Sequence, residues 1–239
     1  MPPGSFPHLC RVATNGRLCK AIADYRWLLD RGYPQQAALN IVTERYMLGQ
    51  KERMLLYRCV HTSKCVQDVA LRHLREVDLA NFELIVDGYN VLLTIIAALK
   101  NEGVYICDDG FVRDLRGAKL RHGEREYLLT AIEIMGKYLA RIPVRYVTFV
   151  FDSTVSHSAK HAKITAEILG KLIGKKIHYE LAKKVDTTLI SHSKNNDVVV
   201  ASSDIVVLLK AAKIYDLAGR IIASFMPSRI SMNILCCLA

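Results

Sequence analysis

Apolar positions follow two rhythms along the chain, and the change falls near residue 80. Before it the period is helical. Leu18, Ile22, Tyr25 and Leu29 recur on one face, and Gly32 with Pro34 ends that stripe. Leu39, Val42 and Tyr46 repeat likewise up to Gly49. A third helix is predicted over 50–60 and a fourth from Ser63, with Val66, Val69, Ala70, Leu74 and Val77 inward. Arg45, Arg53, Arg58, Arg72 and Arg75 fall on outer positions.

After it, short β-rich runs alternate with helical runs. Strands are predicted at 83–86, 104–107, 146–151, 176–180, 198–201 and 220–223. Helices are predicted at 90–100, 124–140, 160–172, 187–193 and 205–213. The strands are nearly continuous apolar runs, as strands buried on both faces are. Their alternation with helices predicts an α/β fold, a doubly wound, mostly parallel sheet, over 81–239. A smaller all-α domain is expected over 1–80.

Composition adds limits. With 239 residues and about half of them apolar, the chain can bury a sizeable core. No run is predicted to span a membrane, because charges break each apolar stretch below about 18 residues. The start, MPPGSFPHLC, lacks the pattern of an export signal. A cytoplasmic protein with reduced thiols is therefore expected; its seven cysteines are scattered and odd in number. Cys59, His61 and Cys65, with Cys10, Cys19, His8 and His73, are weighed as a zinc site, but no Cys-x-x-Cys pair exists. Buried cysteines are preferred. The net charge of +10 suits a polyanionic partner and equally a basic solvated surface.

The chemistry lies where strands end. Ligands of doubly wound sheets bind beyond the carboxyl ends of the strands. IVDGYN ends its strand in Asp87, YVTFVFD in Asp152, and VVVASSD leads to Asp204. Asp186 sits at a helix start in KKVDTTLI. Singly, each reads as a turn residue or helix N-cap. Together, carboxylates held close repel, and a divalent cation relieves the repulsion. Oxygen-only ligation selects Mg²⁺ or Mn²⁺.

DGYNVL, VTFVFDS, VDTTLI and VVVASSD, in that order, resemble the NYN branch of the PIN-like nucleases. That resemblance covers about 83–213 and implies a metal-dependent ribonuclease on a compact PIN-like fold. It places the catalytic and metal-binding set at Asp87, Asp152, Asp186 and Asp204. It gives Asn90 a part in orienting the acidic cluster, beside its capping role. Asn90, Ser203, Arg113, Arg116 and Lys119 form the expected substrate-binding set. Val185 stands where related sequences often have Ala. The whole chain also resembles an archaeal family of unknown function, in which a helical region precedes a PIN-like domain.

The expected activity is hydrolysis of RNA by metal-activated water, with RNA as partner and homo-oligomerisation left open. The alternative is a catalytically inactive RNA-binding or protein-interaction protein on the same fold. Asp108, Asp109 and Asp114 either add to the acidic pocket or form an exposed turn. Tyr89 stands where a haloacid-dehalogenase-like phosphatase needs its second aspartate, which argues against that class. Phosphate-loop and serine-hydrolase motifs are missing from the sequence.

Overall fold

A computed structural model describes residues 16–116, 120–121 and 123–238. Four helices come first: α1 (Gly16–Asp30), α2 (Gln35–Arg45), α3 (Gln50–Cys59) and α4 (Ser63–Arg72). Then follow β1 (Glu83–Asp87), α5 (Gly88–Leu99), β2 (Val104–Ile106), β3 (Val112–Asp114), α6 (Arg125–Leu139), β4 (Tyr146–Asp152) and α7 (Ser158–Ile173). The remainder is β5 (His178–Ala182), α8 (Val185–His192), β6 (Val198–Ala201), α9 (Ile205–Lys210), β7 (Ile214–Tyr215), α10 (Leu217–Phe225) and β8 (Ile230–Asn233).

Five strands form one parallel sheet in the order β5-β4-β1-β6-β7. β1 lies at its centre because both of its faces are apolar. Leu84 and Val86 face a core with Phe149, Phe151 and helices α5, α6 and α7. Ile85 faces the opposite core with Val150, Val200, Leu189 and Val207. Helices thus flank both faces, the arrangement of a doubly wound α/β fold. The chain runs outward from β1 through β4 to β5, then returns to β6 and β7 on the other side. The crevice at that reversal opens where β1 and β6 end.

Several expectations need correction. The strand predicted at 104–107 is not in the main sheet. It pairs with β3 and β8 in a separate three-stranded sheet, antiparallel to the first and parallel to the second. The strand predicted at 220–223 lies inside α10. Leu217, Ala218, Ile221 and Ile222 bury one helical stripe there, and Asp216 caps it by accepting from the Gly219 N–H at 2.9 Å. Val77 is 73% exposed, because α4 ends at Arg72 and a short 3-10 turn follows.

The first three helices do not keep their core to themselves. Ile22, Tyr25, Leu39 and Leu56 pack with Tyr105, Met232 and Ile234 of the second sheet and the segment after it. Two disulfides cross the same contact, Cys19–Cys237 and Cys59–Cys107. This corrects the expectation of reduced thiols. Folding brings the paired Cα atoms to 4.8 and 4.4 Å, within bridging range, although the partners are 218 and 48 residues apart in sequence. It also removes Cys19 and Cys59 from the candidate zinc set. Cys10 and His8 lie outside the described residues.

Arg58 and Arg72 are not simply outer arginines. Arg72 donates to the carbonyls of Leu208 and Leu209, capping the C-terminal end of α9. Arg58 reaches the site described next.

Candidate metal and nucleic-acid site

Asp87 closes β1 and caps α5. Its Oδ1 accepts from the Asn90 N–H at 3.2 Å, and its Oδ2 accepts from Ser202 Oγ at 3.0 Å. Gly88 follows because the Phe151 ring occupies the space of a side chain; a Cβ there would lie 2.6 Å from the ring. Asn90 Oδ1 accepts from both the N–H and the hydroxyl of Ser203, at 2.8 and 3.0 Å. Two hydrogen-bonded pairs therefore clamp the turn after β1 to the turn after β6.

Asp204 caps α9 through Oδ1, which accepts from the Val206 N–H at 2.8 Å. Asp152 ends β4, and its Oδ1 accepts from the N–H and hydroxyl of Thr154 at 2.8 and 2.7 Å. Oδ2 of each accepts no hydrogen bond among the described residues. Asp186 lies in the first turn of α8. For Asp152 and Asp204 the local and clustering explanations therefore hold together, since one oxygen fixes local backbone while the other is left for the cavity; Asp186 does not cap α8, whose N-cap is Lys184. All four aspartates line a single cavity of about 190 Å³, with Arg58, Tyr89, Asp114 and Arg116.

The electrostatics reflect this crowding. Burial pushes the Asp87 carboxyl up to about 7; hydrogen bonds from Asn90 and Ser202 oppose the rise, while Asp186 and Asp204 add to it. Asp186 is raised by burial first, then by Asp204 and Asp152. A divalent cation is the natural counterion for such a set, and hard oxygen donors suit Mg²⁺ or Mn²⁺. No three of the four aspartates bring ligand oxygens within 4.8 Å of one another.

One group among the described residues does approach that closely. His61, Asp108 and Asp109, all buried, have ligand atoms within 4.8 Å of one another and could hold a metal ion. Their carboxylates already have partners. Asp108 accepts from Arg26, from the His61 backbone and, at 2.7 Å, pairs with the His61 ring. Asp109 takes both guanidinium ends of Arg113. Burial alone would raise the Asp109 carboxyl, but Arg113 outweighs it and holds it below the usual range.

The expected substrate-binding residues fall into different places. Asn90 and Ser203 bind each other, and the capping of α5 expected of Asn90 falls to Asp87 because the helix begins at Gly88. Arg113 is 3% exposed, locked to Asp109, and its Nε donates to the Ser203 carbonyl at 2.7 Å. It braces the turn before Asp204 and is not placed to meet phosphate, because its donors are already used. Arg116 lines the cavity and donates to Glu124 at 2.6 Å. Lys119 lies outside the described residues. Asp114 joins the cavity, while Asp108 and Asp109 turn to arginines. Asp114 accepts from Thr94 Oγ1 and the Arg116 N–H, and stands 3.8 Å from Arg58. Sequence reasoning placed Arg58 only on an outer helical face. Its position depends on how α3 docks, which no local motif encodes.

Comparison with known proteins places the chain in a family without assigning an activity. The chain belongs to the family described as Domain of unknown function (DUF5616), which matches residues 76–220. Residues 17–70 match a second family, Protein of unknown function (DUF434). The boundary between the two matches lies close to the change of rhythm noted in the sequence. A relative described as Uncharacterized protein MJ0935, from Methanocaldococcus jannaschii, is 29% identical over 191 residues. The match covers 79% of this chain and 88% of that one. No solved structure matches. Among the described residues, no helix is long and apolar enough to cross a membrane.

Proposed function

We propose that this protein is a metal-dependent ribonuclease of the PIN-like, NYN type. The observation that carries the reading is the convergence of four aspartates from four separate elements on one cavity at the carboxyl edge of the sheet. Asp87, Asp152, Asp186 and Asp204 would hold Mg²⁺ or Mn²⁺. Such an ion supplies Lewis acidity toward a phosphoryl oxygen and activates water for attack. The protein's own part is positional. The Asp87–Ser202 and Asn90–Ser203 pairs hold two carboxylates in register, and Arg113 fixes the Ser203 carbonyl. Arg58, half-buried at the cavity wall, offers positive charge to a phosphodiester entering an acidic pocket.

A second reading, RNA binding without catalysis, draws on the spacing of the carboxylates, which are not drawn as close as a tight metal cluster requires. Labelled single-stranded RNA incubated with EDTA, Mg²⁺ or Mn²⁺ separates the two. The nuclease reading expects cleavage only in the metal lanes. Binding with intact RNA in every lane would favour the second.

A further inference from the structure

The acidic cavity is not a closed pit. It shares Asp114 and Arg116 with a cavity of about 560 Å³ whose wall includes Gln50, Lys51 and Met54 of α3. It shares Asp152 and Val155 with another of about 580 Å³, lined by Arg121, Arg125, His157 and His161. The aspartate cavity thus adjoins both wider spaces, which also meet each other at Arg121.

Charge across these spaces is ordered. The aspartate cavity is acidic and both wider spaces carry cations. Arg116 and Arg121 are engaged by Glu102 and Glu124, so their charge is largely spent. Lys51 and Arg125 have no carboxylate partner among the described residues, and both are exposed. Arg58 is paired only loosely, 3.8 Å from Asp114, and also donates to the Arg116 carbonyl. Exposed Met54 adds an apolar surface beside Lys51. The aspartate cavity is narrow: about 190 Å³ is less than a drug-sized pocket, enough for one backbone unit and too little for a base pair.

We propose that α3 of the helical region is one wall of a track for single-stranded RNA. This rests on the RNA reading above and adds the route and the strandedness. Lys51 and Arg58 hold phosphates where the first wider space adjoins the aspartates, and Arg125 and His157 hold them in the second. The helical region is then part of the substrate site. Its docking on the second sheet, fastened by Cys19–Cys237 and Cys59–Cys107, sets the width of the track.

Fluorescence anisotropy in EDTA tests this without any cleavage. The probes are a labelled oligouridylate of about 12 nucleotides, within the range single-strand binders span, and a blunt RNA duplex of the same length. The single strand should bind at least about tenfold tighter than the duplex. Lys51→Ala and Arg125→Ala should each weaken binding and each lower the salt slope by about one. Both side chains are exposed, so melting curves should match the wild type. Equal affinity for duplex and single strand would overturn the track, as would no binding, or unchanged slopes in both variants. Binding through Lys51 and Arg125 by a chain that cleaves nothing would keep the track and remove the nuclease reading. Cleavage by a chain whose slopes ignore both residues would keep the nuclease reading and remove the track.

Discussion

Ser202 Oγ donates to Asp87 Oδ2 at 3.0 Å across 115 residues of sequence. This bond joins the end of β1 to the turn after β6, and beside it Asn90 and Ser203 make a second tie. Asp87 is 8% exposed, so loss of the donor leaves a buried carboxylate short of a partner. Ser202→Ala should cost about 1–3 kcal/mol of stability. It should also weaken metal binding, because Asp87 loses its orientation. Chemical denaturation with and without Mn²⁺ checks both effects; a variant matching wild type in each would show that the bond is incidental.

Metal binding should stabilise the folded protein. Burial raises Asp87 and Asp186, neighbouring carboxylates add to the rise, and a cation removes that added repulsion. At 100 times its dissociation constant, a ligand adds about 2.7 kcal/mol. The melting temperature should therefore rise in millimolar Mn²⁺, and Asp87→Asn should abolish most of the rise. A shift that survives Asp87→Asn but disappears in His61→Ala would move the ion to the His61 group.

The metal-free protein should lose stability as pH rises. Asp87 has a folded value of about 7 against an ordinary value of 3.8. The folded chain therefore holds this proton more tightly than the unfolded chain does. Its contribution is fully present below about pH 4 and is lost as pH rises through about 7. Asp87→Asn should flatten the slope of melting temperature across that window. Parallel slopes for variant and wild type would contradict the assigned burial.

Gly88 is needed for packing and not only for the turn. The Phe151 ring against it is fully buried and cannot yield. Gly88→Ala should destabilise by about 1–3 kcal/mol, as overpacking does. Combining it with Phe151→Leu should recover part of that loss, since the second change removes the ring. A purely additive double mutant would show that the two side chains do not meet.

These sites differ in how far the sequence reveals them. β1, β4 and β6 are legible because parallel strands buried on both faces leave unbroken apolar runs, as LIV before Asp87 and VVVA before Ser202 do, whereas β7, only Ile214–Tyr215, gives no such run and is not predicted. The four aspartates are legible because topology places strand ends at one edge. The second sheet is not, since β3 has only Val112–Asp114 and its neighbour β2 pairs on the other side with β8, from the far end of the segment. α10 is mistaken for a strand because RIIA, taken alone, lacks the helical period that Leu217 and Ala218 complete. Arg58, Arg113 and the disulfides depend on non-local docking. Arg113 reads as a loop cation until Asp109 and the Ser203 carbonyl are seen to enclose it.

The central claim is that the aspartate cavity hydrolyses RNA, and replacing a single charge tests it most directly. Asn is nearly the shape of Asp without its charge, so Asp87→Asn and Asp204→Asn separate electrostatics from packing. Labelled single-stranded RNA should be cleaved by the wild type in Mg²⁺ or Mn²⁺ and not in EDTA. Each variant should lose cleavage while retaining RNA binding. Equal cleavage by wild type and both variants, or none by any of them in either metal, would contradict the account.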